Sequence, residues 1–457
     1  VVFRVLPHVD VGHDKAYKRR RLMNWLPLGL TYAFLYMGRY NINVAKNNDV
    51  MTKEQLGIIT FWGMLTYGVS FVINGPLTDK LGGRKTIMMA AAGSALANLA
   101  MGFLIFSNIG AAADGKSLTD QGVMLFSMAY VANMYFQSFG AVSIVKVNAH
   151  WFHVLERGVL GGVFGILISL GVYFAYDWTR IIGEILPNNT EWIFFMPAVI
   201  LLAFLVIDYK LVFDTPSDTG FPDIDVADAS SDDDGAAVSV LQIAKKMATN
   251  PIIVTIAFIE LCSGFIRNGV MKWGYIFLKE AGGAESFAFK HWGMMLCIAG
   301  ILGGVFAGTI SDRVFQSRRG PSAVILYATL IIAIGLGAVF IASPVMAYML
   351  GFGSLCIIGV HGMLSGTASA DFGGKKNAGI AVGLIDGMAY IGSAAQAITF
   401  GYVLPKGDEQ GDPTNWRIWL FIILPVTVVG FILATRIWNA KPKAAREASE
   451  RVAAKGT

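Results

Sequence analysis

Cysteine is scarce in this 457-residue chain. Its three copies, Cys262, Cys297 and Cys356, stand singly with no C-x-x-C pair, so neither a disulfide framework nor a zinc site is indicated. Charge is scarce as well. Asp, Glu, Lys and Arg make up 15% of the residues against 55% hydrophobic, and a soluble fold could not hide that much apolar surface. The opening stretch, Val1 to Arg21, is polar and basic, without an apolar core before a small-residue cleavage site, and does not read as a signal peptide. Walker loops, metal-ligand clusters and a nucleophile with a matching base are all missing, so no enzyme, metal or cofactor is expected. The net charge of +5 would hint at nucleic acid in a soluble protein; here its distribution matters more, and no nucleic-acid partner is expected.

What the chain has is long apolar runs. At roughly 20 residues per bilayer crossing they amount to about twelve crossings, and little chain remains for a separate domain. The predicted spans run over 23–45, 56–78, 86–108, 122–147, 158–182, 192–213, 251–278, 289–312, 321–342, 344–369, 377–404 and 416–437. Lipid offers the backbone no hydrogen bonds, and the runs are too long and unalternating for barrel strands, so the crossings are expected to be α-helices. The 52 glycines suit close helix packing in a membrane. Basic residues crowd alternate loops: Lys15 to Arg21, Lys80 to Lys85, Arg313 to Arg319, Lys375 and Lys376, and the tail from Lys441. Those loops are therefore assigned to the cytoplasm, with both termini inside.

The expected fold is all-α, twelve transmembrane helices in two pseudo-symmetric six-helix bundles. A cytoplasmic segment, 1–22, precedes an N-terminal bundle, 23–213; a linker, 214–250, leads to a C-terminal bundle, 251–437, and a basic cytoplasmic tail, 438–457. The linker carries the run Asp232, Asp233, Asp234 and has no Lys or Arg from Leu211 to Ala244, which reads as a solvated tether. The halves look like repeats. Gly75-Pro-Leu-Thr-Asp79-Lys80-Leu-Gly-Gly-Arg84-Lys85 has a counterpart in Gly308-Thr-Ile-Ser-Asp312-Arg313-Val-Phe-Gln-Ser-Arg318-Arg319-Gly320, with Asp79 and Asp312 233 positions apart. Arg39 in the first span and Arg267 in the seventh are 228 apart, each about 16 residues, or roughly 24 Å of helical rise, beyond the cytoplasmic start of its span. Equal depth across a pseudo-twofold axis is expected.

The first of these loops matches the G-x-L-x-D-[RK]-x-G-x-R-[KR] signature of major facilitator transporters, and the second is its degenerate copy. Asp79 and Arg84, with Asp312 and Arg313, are accordingly candidates for gating: a carboxylate there can accept from a helix N-terminus or a basic side chain and latch cytoplasmic ends together. Finer features resemble the organophosphate:phosphate antiporter family, the glycerol-3-phosphate and hexose-phosphate exchangers. The likeness rests on Tyr36-Met-Gly-Arg39-Tyr-Asn41, Phe136-Gln137 with Lys146 and His150-Trp151-Phe152, Glu156-Arg157-Gly158, Arg267-Asn-Gly269 with Trp273 and Leu278-Lys279-Glu280, and Lys375-Lys376-Asn-Ala-Gly379. It implies a phosphate held between Arg39 and Arg267. The residues agree independently, because an Arg well inside a span costs several kcal/mol at roughly the translocon-scale estimate and normally faces a watery cavity or a partner. A guanidinium also gives a tetrahedral oxyanion forked bonds that Lys cannot duplicate. A structural ion pair or a snorkelling side chain is the plainer reading for either one alone.

The sequence departs from the family where Phe71 replaces a lysine and Ile168 a histidine, and where Lys272 stands in place of an acid. Lys272 either replaces a lost cation or snorkels outward. Tyr36, Lys146 and Trp273 are further candidates for substrate contact, with aromatic packing the plainer alternative for the rings. Glu260 and Asp386 are intramembrane acids open to a structural role or to proton coupling. Of the six histidines His361 falls deep within a span, where core packing is its default role. The expectation is a monomeric secondary transporter in a bacterial inner membrane. It would exchange a sugar phosphate or glycerol phosphate for inorganic phosphate by rocker-switch alternating access. The alternatives are a proton-coupled carboxylate symporter and a transporter-like sugar-phosphate sensor.

Overall fold

The apolar runs fold as helices in a computed structural model that describes residues 13–153, 156–224, 245, 248–316, 318–368 and 378–440. The acidic run Asp232 to Asp234, Lys375, Lys376 and the tail from Lys441 lie outside the described residues. The chain forms two compact units, residues 1–233 with 290–297, and 234–289 with 298–457. Among the described residues there is no β-strand, only an isolated bridge between Ala111 and Leu118.

The first unit contains α1 (Lys15–Asn47), α2 (Lys53–Leu81), α3 (Gly83–Phe106), α4 (Asp120–Trp151), α5 (Arg157–Tyr173), α6 (Thr179–Ile185) and α7 (Trp192–Leu211). A π-helical turn, Phe174–Trp178, joins α5 to α6. Local chemistry sets the starts. Thr52 Oγ1 accepts from the Gln55 N–H while Gln55 Oε1 accepts from the Thr52 N–H, a reciprocal cap on α2. The core of this unit is aromatic: Phe34 of α1 stacks on Phe174 with centroids 4.9 Å apart, and Trp25 meets Phe164 edge-on. Segment 290–297 belongs here because Asp177, in the π turn, accepts from the N–H groups of Gly293 and Met294 at 2.7 and 3.0 Å.

After it come α8 (Pro251–Glu280), α9 (Phe287–Lys290), α10 (Trp292–Thr309), α11 (Arg319–Val339), α12 (Val345–His361), α13 (Ala378–Val403) and α14 (Arg417–Arg436). Pro251 at the first turn needs no hydrogen-bond partner for its nitrogen, and Asn250 accepts from the Ile252 N–H at 3.0 Å. In the second unit α8 and α13 cross at glycines on both sides: a Cβ on Gly264 would strike the Ala389 carbonyl, and one on Gly392 the Leu261 carbonyl.

Eight of the described helices are long and apolar enough to cross a membrane: α2, α3, α7, α8, α10, α11, α12 with its π extension, and α14 with its lead-in turn. Helices α1 and α4 bury polar residues, Asn24, Thr31, Arg39, Asn41 and Asn43, and Asn133, Gln137, Ser138 and Ser143, respectively. The π turn cuts α5 to 17 residues. What these helices hold in place of apolar side chains is a polar interior.

Candidate functional site

In the first unit that interior is organised around Arg39, which has no solvent exposure. Its Nε donates to Gln137 Oε1 of α4 at 2.8 Å. Its guanidinium carbon lies 4.6 Å from the centroid of Tyr36 and 4.4 Å from that of Tyr67, a residue of α2. Cation–π contact of this kind suits a guanidinium especially, since it is planar and more weakly hydrated than an ammonium. The amides extend inward in a chain. Gln137 Nε2 donates to Asn133 Oδ1 at 3.0 Å, Asn133 Nδ2 to the Gly38 carbonyl at 2.8 Å, and Asn41 Nδ2 to Asn98 Oδ1 at 2.8 Å. Tyr130 adds its hydroxyl to the Arg39 carbonyl at 3.1 Å. Gly38 leaves room for this network, since a Cβ there would come within 2.8 Å of Asn98 Nδ2 and displace that amide. Tyr67, Asn98, Tyr130 and Asn133 were not among the sequence candidates. Asn133 and Gln137 carry a signal, two amides at i, i+4 within an apolar run.

In the second unit Arg267 is half-buried on α8. Glu260, seven residues earlier and fully buried, meets His361 Nδ1 of α12 through Oε2 at 2.6 Å. Asp386 of α13 takes a hydrogen bond from Ser365, and Arg267, Glu260 and His361 all act on it electrostatically. His361 is therefore a polar partner, not the core-packing residue expected. Lys272 is buried, 2% exposed, rather than extended to the surface, and Trp273 packs edge-on against Phe400 at 6.2 Å.

The loop after α2 lies at another level. Lys146 Nζ donates to Asp79 Oδ1 at 2.8 Å, and Lys146 is nine residues, about 13 Å of helical rise, along α4 from Gln137. The structure thus groups Lys146 with the signature loop and not with Arg39. Gly82 has φ +86°, and across the turn it makes, Asp214 Oδ1 accepts from the Arg84 N–H at the start of α3 at 2.9 Å. Arg84 lies over the Phe213 ring at 4.4 Å. Nearby, Arg21 makes two bonds to Glu156, of 2.8 and 3.0 Å, and His13 a third contact at 3.3 Å. Burial alone would push the Glu156 carboxyl up, but the Arg21 bonds and charge outweigh it and hold it below its ordinary value. Burial pushes the Tyr17 phenol up to about 12; its hydroxyl donates to the Trp151 carbonyl at 3.0 Å. In the second copy Arg313 is exposed, Arg319 donates to Ser311 Oγ at 2.8 Å, and the Asp312 side chain lies outside what is described.

A family model for the Major Facilitator Superfamily matches residues 28–397. The chain is 27% identical to a glycerol-3-phosphate transporter of Bacillus subtilis, over 97% of this chain and 99% of that one. It is 26% identical to a probable hexose phosphate transport protein of Chlamydia trachomatis, over 95% and 94%. It is 23% identical to the membrane sensor protein UhpC of Escherichia coli, over 93% of each chain. Among solved structures, a bacterial homologue of the human lysosomal transporter Spinster superposes with TM-score 0.71 at 14% identity, covering 94% of this chain and 99% of that one. The nucleoside transporter NupG superposes with TM-score 0.60 at 13% identity, covering 94% and 100%.

Proposed function

The chain belongs to the Major Facilitator Superfamily, and from that premise we propose that it exchanges a phosphorylated organic anion for inorganic phosphate, with Arg39 and Arg267 binding the phosphate. It is a multi-pass integral membrane protein and a transporter, not an enzyme. One observation carries the reading: a fully buried guanidinium, oriented by the neutral amide of Gln137 and the faces of Tyr36 and Tyr67, with a second arginine, Arg267, half-buried on α8 of the second unit. A neutral acceptor on Nε leaves the arginine its positive charge, whereas a carboxylate would cancel it. The names of the relatives from Bacillus subtilis and Chlamydia trachomatis support a phosphate ester as the cargo.

The proposed cycle is rocker-switch alternating access. In it the bound anion stabilises the closed state, which favours exchange over empty return. The basic loops support a cytoplasmic placement of both ends, in a bacterial inner membrane. The similarity to a membrane sensor supports a second reading, in which the same site binds a sugar phosphate and reports it without moving it. Counterflow in vesicles against a panel of phosphate esters, phosphonates and carboxylates decides. Esters and phosphate are expected to drive exchange; binding of esters without flux would establish the sensor reading, and flux of carboxylates alone would overturn both.

A further inference from the structure

We propose that Glu260 and His361 form a proton-binding site linked to anion binding at Arg267, an inference that rests on the phosphate-exchange reading above. The 2.6 Å bond between His361 Nδ1 and Glu260 Oε2 ties α8 to α12 where the α-helix gives way to a π segment, Gly362–Ala368. π segments widen a helix and occur often at functional sites. A carboxylate and an imidazole sharing one bond titrate as a unit, so a proton added there belongs to the pair. The Glu260 side chain is fully enclosed while that of His361 is 18% exposed, which makes the imidazole the point of entry.

The surroundings give the pair its link to the anion. Arg267 lies two turns further along α8, and Asp386 faces the pair from α13; both act on His361 electrostatically. Cys262 of α8 and Tyr327 of α11, whose hydroxyl donates to the Ile259 carbonyl, feel the Glu260 charge. Cys356 on α12 and Tyr390 on α13 are the remaining buried titratable groups of those two helices, and the ionisable residues of α14 stand only at its ends. Lys272 is 12 residues, about 18 Å, beyond Glu260 along α8. With both acids ionised and the imidazole neutral, Arg267, Glu260, Asp386 and His361 sum to one negative charge, which opposes an incoming anion. One proton brings the sum to zero. Proton and anion therefore favour each other's binding, and the coupling is reciprocal.

The test is calorimetry of glycerol 3-phosphate binding to the full chain in lipid nanodiscs, in two buffers of different ionisation enthalpy, for the wild type, Glu260→Gln and His361→Gln. The ester's own titration is common to all three proteins. The wild type is expected to take up more protons per ester than either variant, and its affinity to fall more steeply with rising pH, by up to about tenfold per pH unit where one proton accompanies the anion. Equal proton uptake and equal slopes in all three would overturn the proton site and leave phosphate exchange standing. A wild type that binds neither the ester nor phosphate would overturn the exchange reading, and this inference with it. Glu260 is wholly buried, so where Glu260→Gln fails to fold, His361→Gln at the partly exposed member decides.

Discussion

Arg39 illustrates how a charge is kept usable inside a membrane protein. Gln137 satisfies Nε without neutralising it, and Tyr36 and Tyr67 cover the guanidinium with ring faces. Gln137→Glu should preserve the geometry but cancel the charge. It is expected to lower apparent phosphate affinity in counterflow by about tenfold or more, equivalent to about 1.4 kcal/mol, while the melting temperature in detergent stays within a few degrees. A variant with unchanged phosphate affinity would show that Arg39 does not hold the anion. Arg39 was legible in the sequence as a candidate, because it pairs with Arg267 at matching depth in another apolar run, where either arginine alone has a plainer reading. Its partners were not. Tyr67 is an ordinary aromatic in an ordinary span, and only the fold brings α2 to α1. His361 was legible as an intramembrane histidine, but Glu260 lies 101 residues away and nothing local pairs them.

At the scale of the element, the helix ends of the first unit around the signature loop are stapled by a set of unequal bonds. The Asp79–Lys146 pair is exposed on the carboxylate side and contributes roughly 0–1 kcal/mol. Arg21–Glu156 is sheltered and bidentate, and its loss should cost more. Glu156→Gln is expected to destabilise the protein at neutral pH by about 1.5–3 kcal/mol, the range for hydrogen bonds to charged groups. The sign of the pH dependence follows from the carboxyl's depressed pKa. Its stabilisation is full above the ordinary carboxylate range and is lost as pH falls through the folded value. Thermal melts of the wild type and Glu156→Gln should therefore converge only once the pH has fallen below the carboxyl's depressed folded value. A gap that persists in acid would mean that the carboxylate charge is not what holds the staple. The signature loop itself was legible as a tight glycine turn. Which carboxylate caps α3 was not: Asp214, 130 residues on, takes the Arg84 N–H, and Asp79 takes a lysine.

At the scale of the molecule, the sequence revealed the membrane, the helical class and the repeated halves, since each follows from long-range composition rather than from any one contact. Twelve spans could be counted although only eight described helices pass on length and apolarity. Helices α1 and α4 are less apolar because they carry the buried amides and, in α1, Arg39. The central claim concerns both halves, and one measurement tests it most directly: uptake of labelled phosphate into vesicles preloaded with phosphate, for the wild type, Arg39→Lys and Arg267→Lys. Lysine keeps the charge and loses the fork, so each variant, folded and inserted, is expected to exchange about 10- to 100-fold more slowly at sub-saturating phosphate. Wild-type exchange in either variant would contradict the account.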